Sequence, residues 1–234
     1  MSRWFQTLLT SSIGKKVSMA LTGLLLVGFL IAHLAGNLLL LRDDGGAAFD
    51  AYAQKLHDLG PLLLVAEVGL VALFGAHIAM GIRTALENRR ARSSRYAVDA
   101  SHGGKSFASA TMPISGVVIF VFLVIHLINF RFDDRFKQGL AERLDQAAAD
   151  SGGLIGAAGF VADSLAAPLL AVVYMVGVAA LTLHLSHAIQ SALQTLGANH
   201  PRWTPLLRRG GVALSLVLGL GFLSIPLVAL MRWG

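Results

Sequence analysis

The uncharged run VSMALTGLLLVGFLIAHLAGNLLLL, residues 17–41, decides the fold of this protein. It contains no Asp, Glu, Lys or Arg over a length that exceeds the roughly 20 apolar residues a helix needs to cross a bilayer. It is also longer than the apolar part of a secretory signal peptide, and it lacks the small-residue cleavage pattern. The run predicts a transmembrane helix, and it raises the question of why His33 lies inside it.

The composition of the whole chain agrees with this prediction. Of 234 residues, 55% are hydrophobic and only 14% are charged, which is typical of membrane proteins. The absence of cysteine excludes disulfides, iron–sulfur ligation and thiolate chemistry by this chain. The net charge of +6 belongs to the loops of a membrane protein, so we expect no nucleic-acid partner.

Four more apolar segments follow the first one. We predict an all-α membrane protein in which residues 1–234 form a single five-helix transmembrane bundle. We expect the connection 131–163 to be irregular or partly helical, and we find no internal repeat. The approximate predicted spans are 17–41, 62–82, 107–130, 165–190 and 212–231.

The charges in the connections predict the direction of the helices. Connections 42–61 and 131–163 carry four and six acids, respectively, whereas the stretch ENRRARSSR, residues 87–95, has one acid and four arginines. Basic loops remain in the cytoplasm. The amino terminus is therefore predicted to be cytoplasmic and the carboxyl terminus outside.

Histidines in four of the five predicted spans are the main functional signal. An ionisable side chain inside a membrane is costly and usually functional, although a single histidine can simply hydrogen-bond between helices. One on each of four successive spans favours a shared function. The span histidines are His33, His77, His126, and His184 with His187. The remaining three fall in connections, where we expect solvent contact: His57, His102 and His200.

The histidines in the predicted spans form two pairs according to their depth in the membrane. At a rise of 1.5 Å per residue, His33 and His126 lie about 12 Å and about 8 Å from the outer ends of their helices. His77 lies about 9 Å from the inner end of its helix, and His184 lies about 24 Å inward from Pro168. The pattern predicts an outer pair and an inner pair, each from two helices that run in the same direction.

Each pair has the ligand chemistry of a b-type haem. A porphyrin gives iron four nitrogens and leaves two axial positions, which two facing imidazoles fill. No position then remains for oxygen or substrate, so the expected chemistry is electron transfer. The chain has no CxxCH motif, so the two haems would be bound noncovalently. Glycines near the histidines would leave room for a flat macrocycle, namely Gly28, Gly36, Gly75, Gly81 and Gly177.

His184 and His187 share a helix face, so only one of them can pair with His77. We interpret His184 as the ligand and His187 as a hydrogen-bond donor beside the haem or as the alternative ligand. A di-histidine metal site is a weaker alternative, because no cysteine and no third ligand accompany it. Arg83, at the inner end of the second span, is a candidate partner for a haem propionate.

The ordered set of motifs resembles the five-helix, two-haem cytochrome b that anchors succinate dehydrogenases and fumarate reductases in the membrane. The similar stretches span most of the chain. They are SSIGKKVSMALTG (11–23), HLAGN (33–37), AHIAMGIR (76–83), ENRRAR (87–92) with Tyr96, VIHLINF (124–130) and HLSHAIQSALQTLG (184–197).

The resemblance implies a place in a respiratory complex. It implies that His33 and His126 hold a distal haem and that His77 and His184 hold a proximal one, in agreement with the depth argument. The implied partners are a flavoprotein subunit with covalent FAD and an iron–sulfur subunit on the cytoplasmic face. The chain would carry electrons between the iron–sulfur subunit and membrane quinone, with menaquinone favoured. It would be a subunit of succinate:quinone oxidoreductase in the bacterial cytoplasmic membrane, without dicarboxylate chemistry of its own.

Glu67 is the single acid inside the five predicted spans. It lies near the outer end of the second span, on the side of the distal haem, where a buried carboxyl can relay protons to quinone. The alternative is a glutamate that only hydrogen-bonds between helices. Thr182 departs from some family members, which have a glutamate two residues before the proximal ligand for transmembrane proton transfer.

Two other classes of protein fit parts of the pattern. Haem subunits of nitrate reductases, formate dehydrogenases and hydrogenases commonly place two ligand histidines on one helix, whereas four helices supply one each here. A haem-free transporter or scaffold would use the histidines for packing or proton transfer and would be colourless. Transporters also tend to have repeats and broken helices, and neither is evident in this sequence.

Overall fold

The computed structural model describes residues 11–90, 111–134 and 156–234. All regular elements within these ranges are helices, as the sequence predicts. Five of them are long and apolar enough to cross a membrane. Tyr96, His102 and the predicted start of the third span at 107 lie outside the described residues.

Within the described ranges, five candidate membrane-spanning helices follow one another, and two short helices lie between them. The first continues as a 3-10 turn over Leu38–Leu41, and the third continues as a π-helical turn over Leu127–Arg131. The long helices are α1 (Ser12–Asn37), α3 (Pro61–Arg90), α4 (Met112–His126), α6 (Pro168–Thr195) and α7 (Thr204–Arg232), and the short ones are α2 (Ala47–His57) and α5 (Gly156–Ala166).

The helices extend beyond the predicted spans where charged residues flank the apolar segment on either side. Helix α3 continues to Arg90 instead of ending near 82, and α7 begins at Thr204 instead of 212. Hydropathy detects only the apolar part of a helix, whereas backbone hydrogen bonding continues into the polar region. Helix α2 was not predicted. Helix α5 agrees with the expectation that the connection 131–163 is partly helical.

Local sequence explains where several helices begin. Pro61 and Pro168 are the first residues of α3 and α6, where a missing N–H costs nothing. Ser11 caps α1, because its side chain accepts a hydrogen bond from the Gly14 N–H at 3.0 Å. Helix α7 continues through Pro226 to Arg232.

Four of the long helices form a ring. Helix α1 packs against α3 and α6, and α4 packs against α6 and more sparsely against α3. Helix α1 therefore lies diagonally opposite α4, and α3 lies diagonally opposite α6. We call the end of the bundle where α1 begins the amino-terminal end, and the end where α7 finishes the carboxyl-terminal end.

The packed core lies to one side of this ring, where α6, α7, α1 and α5 meet. Helix α7 approaches α6 so closely that a Cβ atom on Gly219 would collide with the side chain of Thr182. On the other side of the ring, α3 contributes only Met80 to the buried residues and α4 contributes only Ser115. Helices α3 and α4 therefore lie at the periphery of the bundle, away from this core.

Candidate functional site

The structure brings His33 of α1 and His126 of α4 together across one diagonal of the ring. Their ring centroids are 5.8 Å apart, and the ring planes are nearly perpendicular at 89°. Both side chains lie in the half of the bundle nearer the carboxyl-terminal end. This is the pair that the sequence predicts for the outer half of the membrane.

Aromatic rings surround this outer pair. Phe29 stacks on His33 at 5.3 Å, and Phe222 of α7 approaches the same ring to 5.9 Å. The Tyr174 hydroxyl lies 3.3 Å from His126 Nδ1. Phe122 and Phe130 flank His126 at 5.9 and 5.5 Å. The two imidazoles thus lie among flat apolar surfaces of the kind that suit a conjugated macrocycle.

The rest of the HLAGN motif supports His33. Asn37, one turn further along the helix, donates a hydrogen bond from Nδ2 to the His33 carbonyl oxygen at 2.8 Å, and the same amide lies 3.4 Å from each ring nitrogen. A Cβ atom on Gly36 would collide with the ring of Tyr52 in α2. The glycine therefore permits the short helix to pack against α1, and the asparagine lies beside the histidine.

The inner pair, His77 of α3 and His184 of α6, lies on the other diagonal. Thr22 Oγ1 of α1 lies 3.2 Å from His77 Nδ1, and Ser115 Oγ of α4 lies 3.1 Å from His184 Nδ1. His77 and His184 are close enough to interact electrostatically. Each inner histidine is thus held by a hydroxyl group from a neighbouring helix.

These hydroxyl groups also lie within hydrogen-bond distance of carbonyl groups of their own helices. Thr22 Oγ1 is 2.8 Å from the Ser18 carbonyl oxygen, and Ser115 Oγ is 3.0 Å from the Met112 carbonyl oxygen. When the hydroxyl hydrogen is donated to the carbonyl, the hydroxyl accepts from the histidine Nδ1–H. Nε2 of both His77 and His184 is then unprotonated, which is the form that binds a metal.

Two glycines beside the inner histidines were missed in the sequence. A Cβ atom on Gly23 would lie 3.2 Å from His77 Cε1, and one on Gly116 would lie 3.8 Å from His184 Cε1. Both glycines follow directly after the hydroxyl residues. Of the glycines named from the sequence, Gly36 and Gly177 pack against Tyr52 and Phe122, so they do not leave the room expected of them. Around Gly28, Gly75 and Gly81, the space within 4 Å of such a Cβ is open.

Contacts along three helices give the distance between the two pairs. Thr22, which contacts His77, is eleven residues before His33, and Ser115, which contacts His184, is eleven residues before His126. Tyr174, which contacts His126, is ten residues before His184. At 1.5 Å per residue, all three helices place the two layers about 15–17 Å apart along the bundle.

The other predicted site residues lie around these layers. His187 is half-buried one turn beyond His184 and faces Arg208 of α7. Arg83 is exposed and close to Glu87, and it lies further along α3 than His77. Among the described residues, Lys15 is a buried cation at this end of the bundle, and its ammonium group pairs with the Glu87 carboxylate at 2.6 Å. His57 and His200 are exposed, as expected, although His57 ends α2 and does not lie in a loop.

Glu67 forms a bidentate ion pair with Arg131 near the carboxyl-terminal end of the bundle. Its two carboxylate oxygens accept hydrogen bonds from Arg131 Nε and Nη2, both at 2.7 Å. The pair links α3 to the end of α4, and both side chains are partly accessible. The outer rim of the ring therefore carries a carboxylate on the same side as His33 and His126.

Comparison with family models, curated proteins and solved structures finds no match to this chain. Among the described residues, no three or more His, Asp or Glu side chains converge to hold a metal ion. Each diagonal carries two imidazoles, and an iron bound in a porphyrin has two coordination positions left for such ligands.

The spacing of the outer pair fits two axial ligands. Two imidazoles bound to one metal ion at about 2 Å each have nitrogens about 4 Å apart and ring centroids about 6 Å apart. The His33 and His126 centroids are 5.8 Å apart. In the inner pair, the hydroxyl contacts of both histidines are made through Nδ1, which leaves Nε2 as the nitrogen that can bind a metal.

Proposed function

We propose that this protein is a dihaem cytochrome b that serves as the membrane anchor of a succinate dehydrogenase or fumarate reductase, carrying electrons between an iron–sulfur subunit and membrane quinone. The observation that carries the proposal is the placement of four histidines, one per helix, in two layers on the two diagonals of a four-helix ring. The motifs that resemble this family contain all four histidines.

The side chains have distinct roles in this proposal. His33 and His126 would hold the distal haem, and His77 and His184 would hold the proximal haem. Thr22 and Ser115 contact the inner imidazoles at Nδ1 and leave Nε2 to bind the iron. A haem held by two histidines would supply one-electron transfer, without a position for a substrate. Phe29, Phe122 and Tyr174 exclude water from the outer pair and fix its orientation.

The proposed orientation places the amino-terminal end of the bundle in the cytoplasm. The helix ends on that side carry Arg89 and Arg90 of α3 and Arg208 and Arg209 of α7, and basic residues that flank membrane spans remain on the cytoplasmic side. Such a face suits an acidic surface on the iron–sulfur subunit, to which the FAD-containing flavoprotein would bind. The protein would then be a multi-pass component of a bacterial cytoplasmic membrane.

Quinone chemistry is proposed at the opposite end, where Glu67 lies on the distal-haem side. Its ion pair with Arg131 keeps a carboxylate at the rim of the ring. Release of Arg131 would leave Glu67 able to take or give a proton as quinone changes its redox state. The variant Glu67→Gln should slow quinone turnover while both haems remain bound, and unchanged turnover would exclude the relay.

Haem content is the first test of the proposal. The chain, produced with haem available and purified in detergent, should contain about two haem b per polypeptide by pyridine haemochrome and reduced-minus-oxidised spectra. A colourless protein would reject the proposal in favour of a haem-free transporter or scaffold. The presence of a flavoprotein with covalent FAD among subunits purified from native membranes would separate this family from other dihaem oxidoreductases.

Single substitutions assign the ligands. His33→Ala and His126→Ala should each remove the same haem, and His77→Ala and His184→Ala should each remove the other one. His57→Ala is the matched control, because His57 is exposed on α2. Loss of the proximal spectrum in His187→Ala and not in His184→Ala would reverse the choice between these two histidines.

A further inference from the structure

A groove with a volume of about 970 Å³ opens at the amino-terminal end of the bundle, where α6 ends and α7 begins. Its polar part includes Gln190, Arg208 and Arg209, and its apolar part consists of Val212, Ala213 and Leu216. Arg208 and Arg209 belong to the basic face proposed for the iron–sulfur subunit, but that function makes no use of the apolar part of the groove. The combination of a basic part and an apolar part therefore calls for a separate explanation.

The polar part of the groove is strongly basic. Arg208 and Arg209 are adjacent, both are exposed, and none of the residues that line the groove is an acid. Arg208 also faces His187 across the interface between α7 and α6. Two guanidinium groups that share one groove with a neutral amide favour a ligand with negative charge, and arginine binds phosphate oxygens in a bidentate manner.

The apolar part of the groove lies deeper along α7. Leu216 is eight residues beyond Arg208, or about 12 Å along the helix. Val212 and Leu216 expose 37% and 49% of their surfaces, and they belong to the uncharged segment of α7 predicted to span the membrane. The groove thus passes from the polar boundary of the bilayer into its hydrocarbon region.

We propose that this groove binds one phospholipid with an anionic headgroup, of the phosphatidylglycerol or cardiolipin class. The phosphate lies against Arg208 and Arg209, and an acyl chain lies along Val212, Ala213 and Leu216. Basic pockets between membrane helices bind such headgroups. A free phosphate ion would use only the arginines, and a soluble protein would not reach an apolar wall inside the span. The lipid joins the end of α6 to the start of α7 and stabilises that hairpin.

The test measures lipid binding to the purified chain in detergent. Phosphatidylglycerol should be retained in native mass spectra and should raise the thermal unfolding midpoint, whereas phosphatidylcholine should do neither. In the Arg208→Gln/Arg209→Gln variant the apparent affinity for phosphatidylglycerol should fall about 30-fold, since each basic residue near an anionic surface contributes about a factor of five. The unfolding midpoint in phosphatidylcholine reports whether each variant is folded.

A matched variant controls for general charge effects. Arg89→Gln/Arg90→Gln removes two adjacent exposed arginines at the same end of the bundle and should retain wild-type lipid binding. Equal loss in both double variants would overturn the proposal, because it would show attraction by net charge alone.

A second variant tests the apolar part of the site. The Ala213→Trp variant keeps both arginines and places a bulky side chain in the apolar part of the groove. It should therefore weaken phosphatidylglycerol binding without changing the binding of inorganic phosphate. If Ala213→Trp retains the lipid fully, or if millimolar phosphate displaces the lipid from the wild-type protein, the groove holds an ion and the lipid proposal is wrong.

Discussion

The hydroxyl groups of Thr22 and Ser115 determine how the inner histidines present their nitrogens. Each hydroxyl lies within hydrogen-bond distance of a carbonyl of its own helix and of Nδ1 of a histidine on a neighbouring helix. The same arrangement occurs twice, on α1 for His77 and on α4 for His184. A pair of buried metal ligands needs this kind of support, because an imidazole that can rotate or change tautomer binds a metal more weakly.

Removal of either hydroxyl should therefore loosen the inner haem alone. For Thr22→Val and Ser115→Ala, we expect roughly 10- to 100-fold weaker retention of the proximal haem, the usual effect of losing a ligand's hydrogen-bond partner. The distal haem spectrum should remain unchanged. The measurement is haem retained per chain during dialysis against a haem-binding protein, with the two haems resolved in low-temperature difference spectra.

Two substitutions of the same type serve as controls. Thr195 and Ser224 make the same hydroxyl-to-carbonyl bonds within their helices as Thr22 and Ser115 do. Thr195→Val and Ser224→Ala should leave both haems in place. Equal losses in all four variants would mean that the hydroxyls act through helix stability and not through the histidines.

Sequence reasoning reached the histidines but not these hydroxyl residues. A histidine in an uncharged run stands out, because burying an ionisable side chain in a membrane is costly. Serine and threonine do not stand out, since both commonly bond to a carbonyl of their own helix. Only the contact between α1 and α3, or between α4 and α6, distinguishes Thr22 and Ser115 from Thr195 and Ser224.

At the scale of helices, the ion pair between the buried Lys15 and the exposed Glu87 joins the start of α1 to the end of α3. Lys15 is 7% exposed, and its ammonium group contacts both oxygens of the Glu87 carboxylate. A buried cation without its partner keeps the cost of desolvation and loses the compensating attraction. Glu87→Gln should therefore lower the thermal unfolding midpoint of the purified protein.

A double substitution separates this effect from a general loss of charge. Lys15→Met/Glu87→Gln should recover stability relative to Glu87→Gln alone, because no buried cation then remains. Lys16 is adjacent and exposed, so Lys16→Met/Glu87→Gln should give no recovery. Recovery in both double variants would show that net charge and not the ion pair controls the midpoint.

The close approach of α6 and α7 depends on a glycine. A Cβ atom on Gly219 would collide with Thr182, whereas one on Gly69 of α3 would meet nothing within 4 Å. Gly219→Ala should destabilise the protein by about 1–3 kcal/mol through overpacking. Gly69→Ala should leave the unfolding midpoint unchanged or raise it, since alanine favours helix. Similar midpoints for the two variants in thermal unfolding would contradict this account of the interface.

The elements themselves were predictable where hydropathy was the only determinant. All five long helices were expected, but their polar ends, such as Thr204 to Gly211 of α7, were not, since helix continues beyond the apolar segment. Helix α2 was missed because its 11 residues lie in a connection and depend on contacts with the rest of the fold. Gly36 accommodates its Tyr52 ring, and Asp50 Oδ1 accepts a hydrogen bond from Ala158 N of α5 at 2.8 Å.

At the scale of the whole molecule, the ring of four helices groups the four histidines into two sites. Depth along each helix follows from the sequence, because the rise per residue is constant. Which helices lie diagonally opposite each other does not follow, since it depends on the packing of α6 and α7 to one side. The structure supplies this relation and places the members of each pair on diagonal helices, 5.8 Å apart for His33 and His126.

The direction of the whole bundle can be tested because the chain contains no cysteine. Asp43 and Arg202 are exposed and lie at opposite ends of the bundle, in the connections after α1 and before α7. The excess of basic residues at the amino-terminal end predicts that Arg202 faces the cytoplasm. In intact cells, a membrane-impermeant maleimide should therefore label Asp43→Cys, and it should label Arg202→Cys only after permeabilisation. The reverse pattern would place Glu67 and the outer histidines on the cytoplasmic side, so that an iron–sulfur partner would meet the wrong haem and the proposed direction of electron transfer would fail.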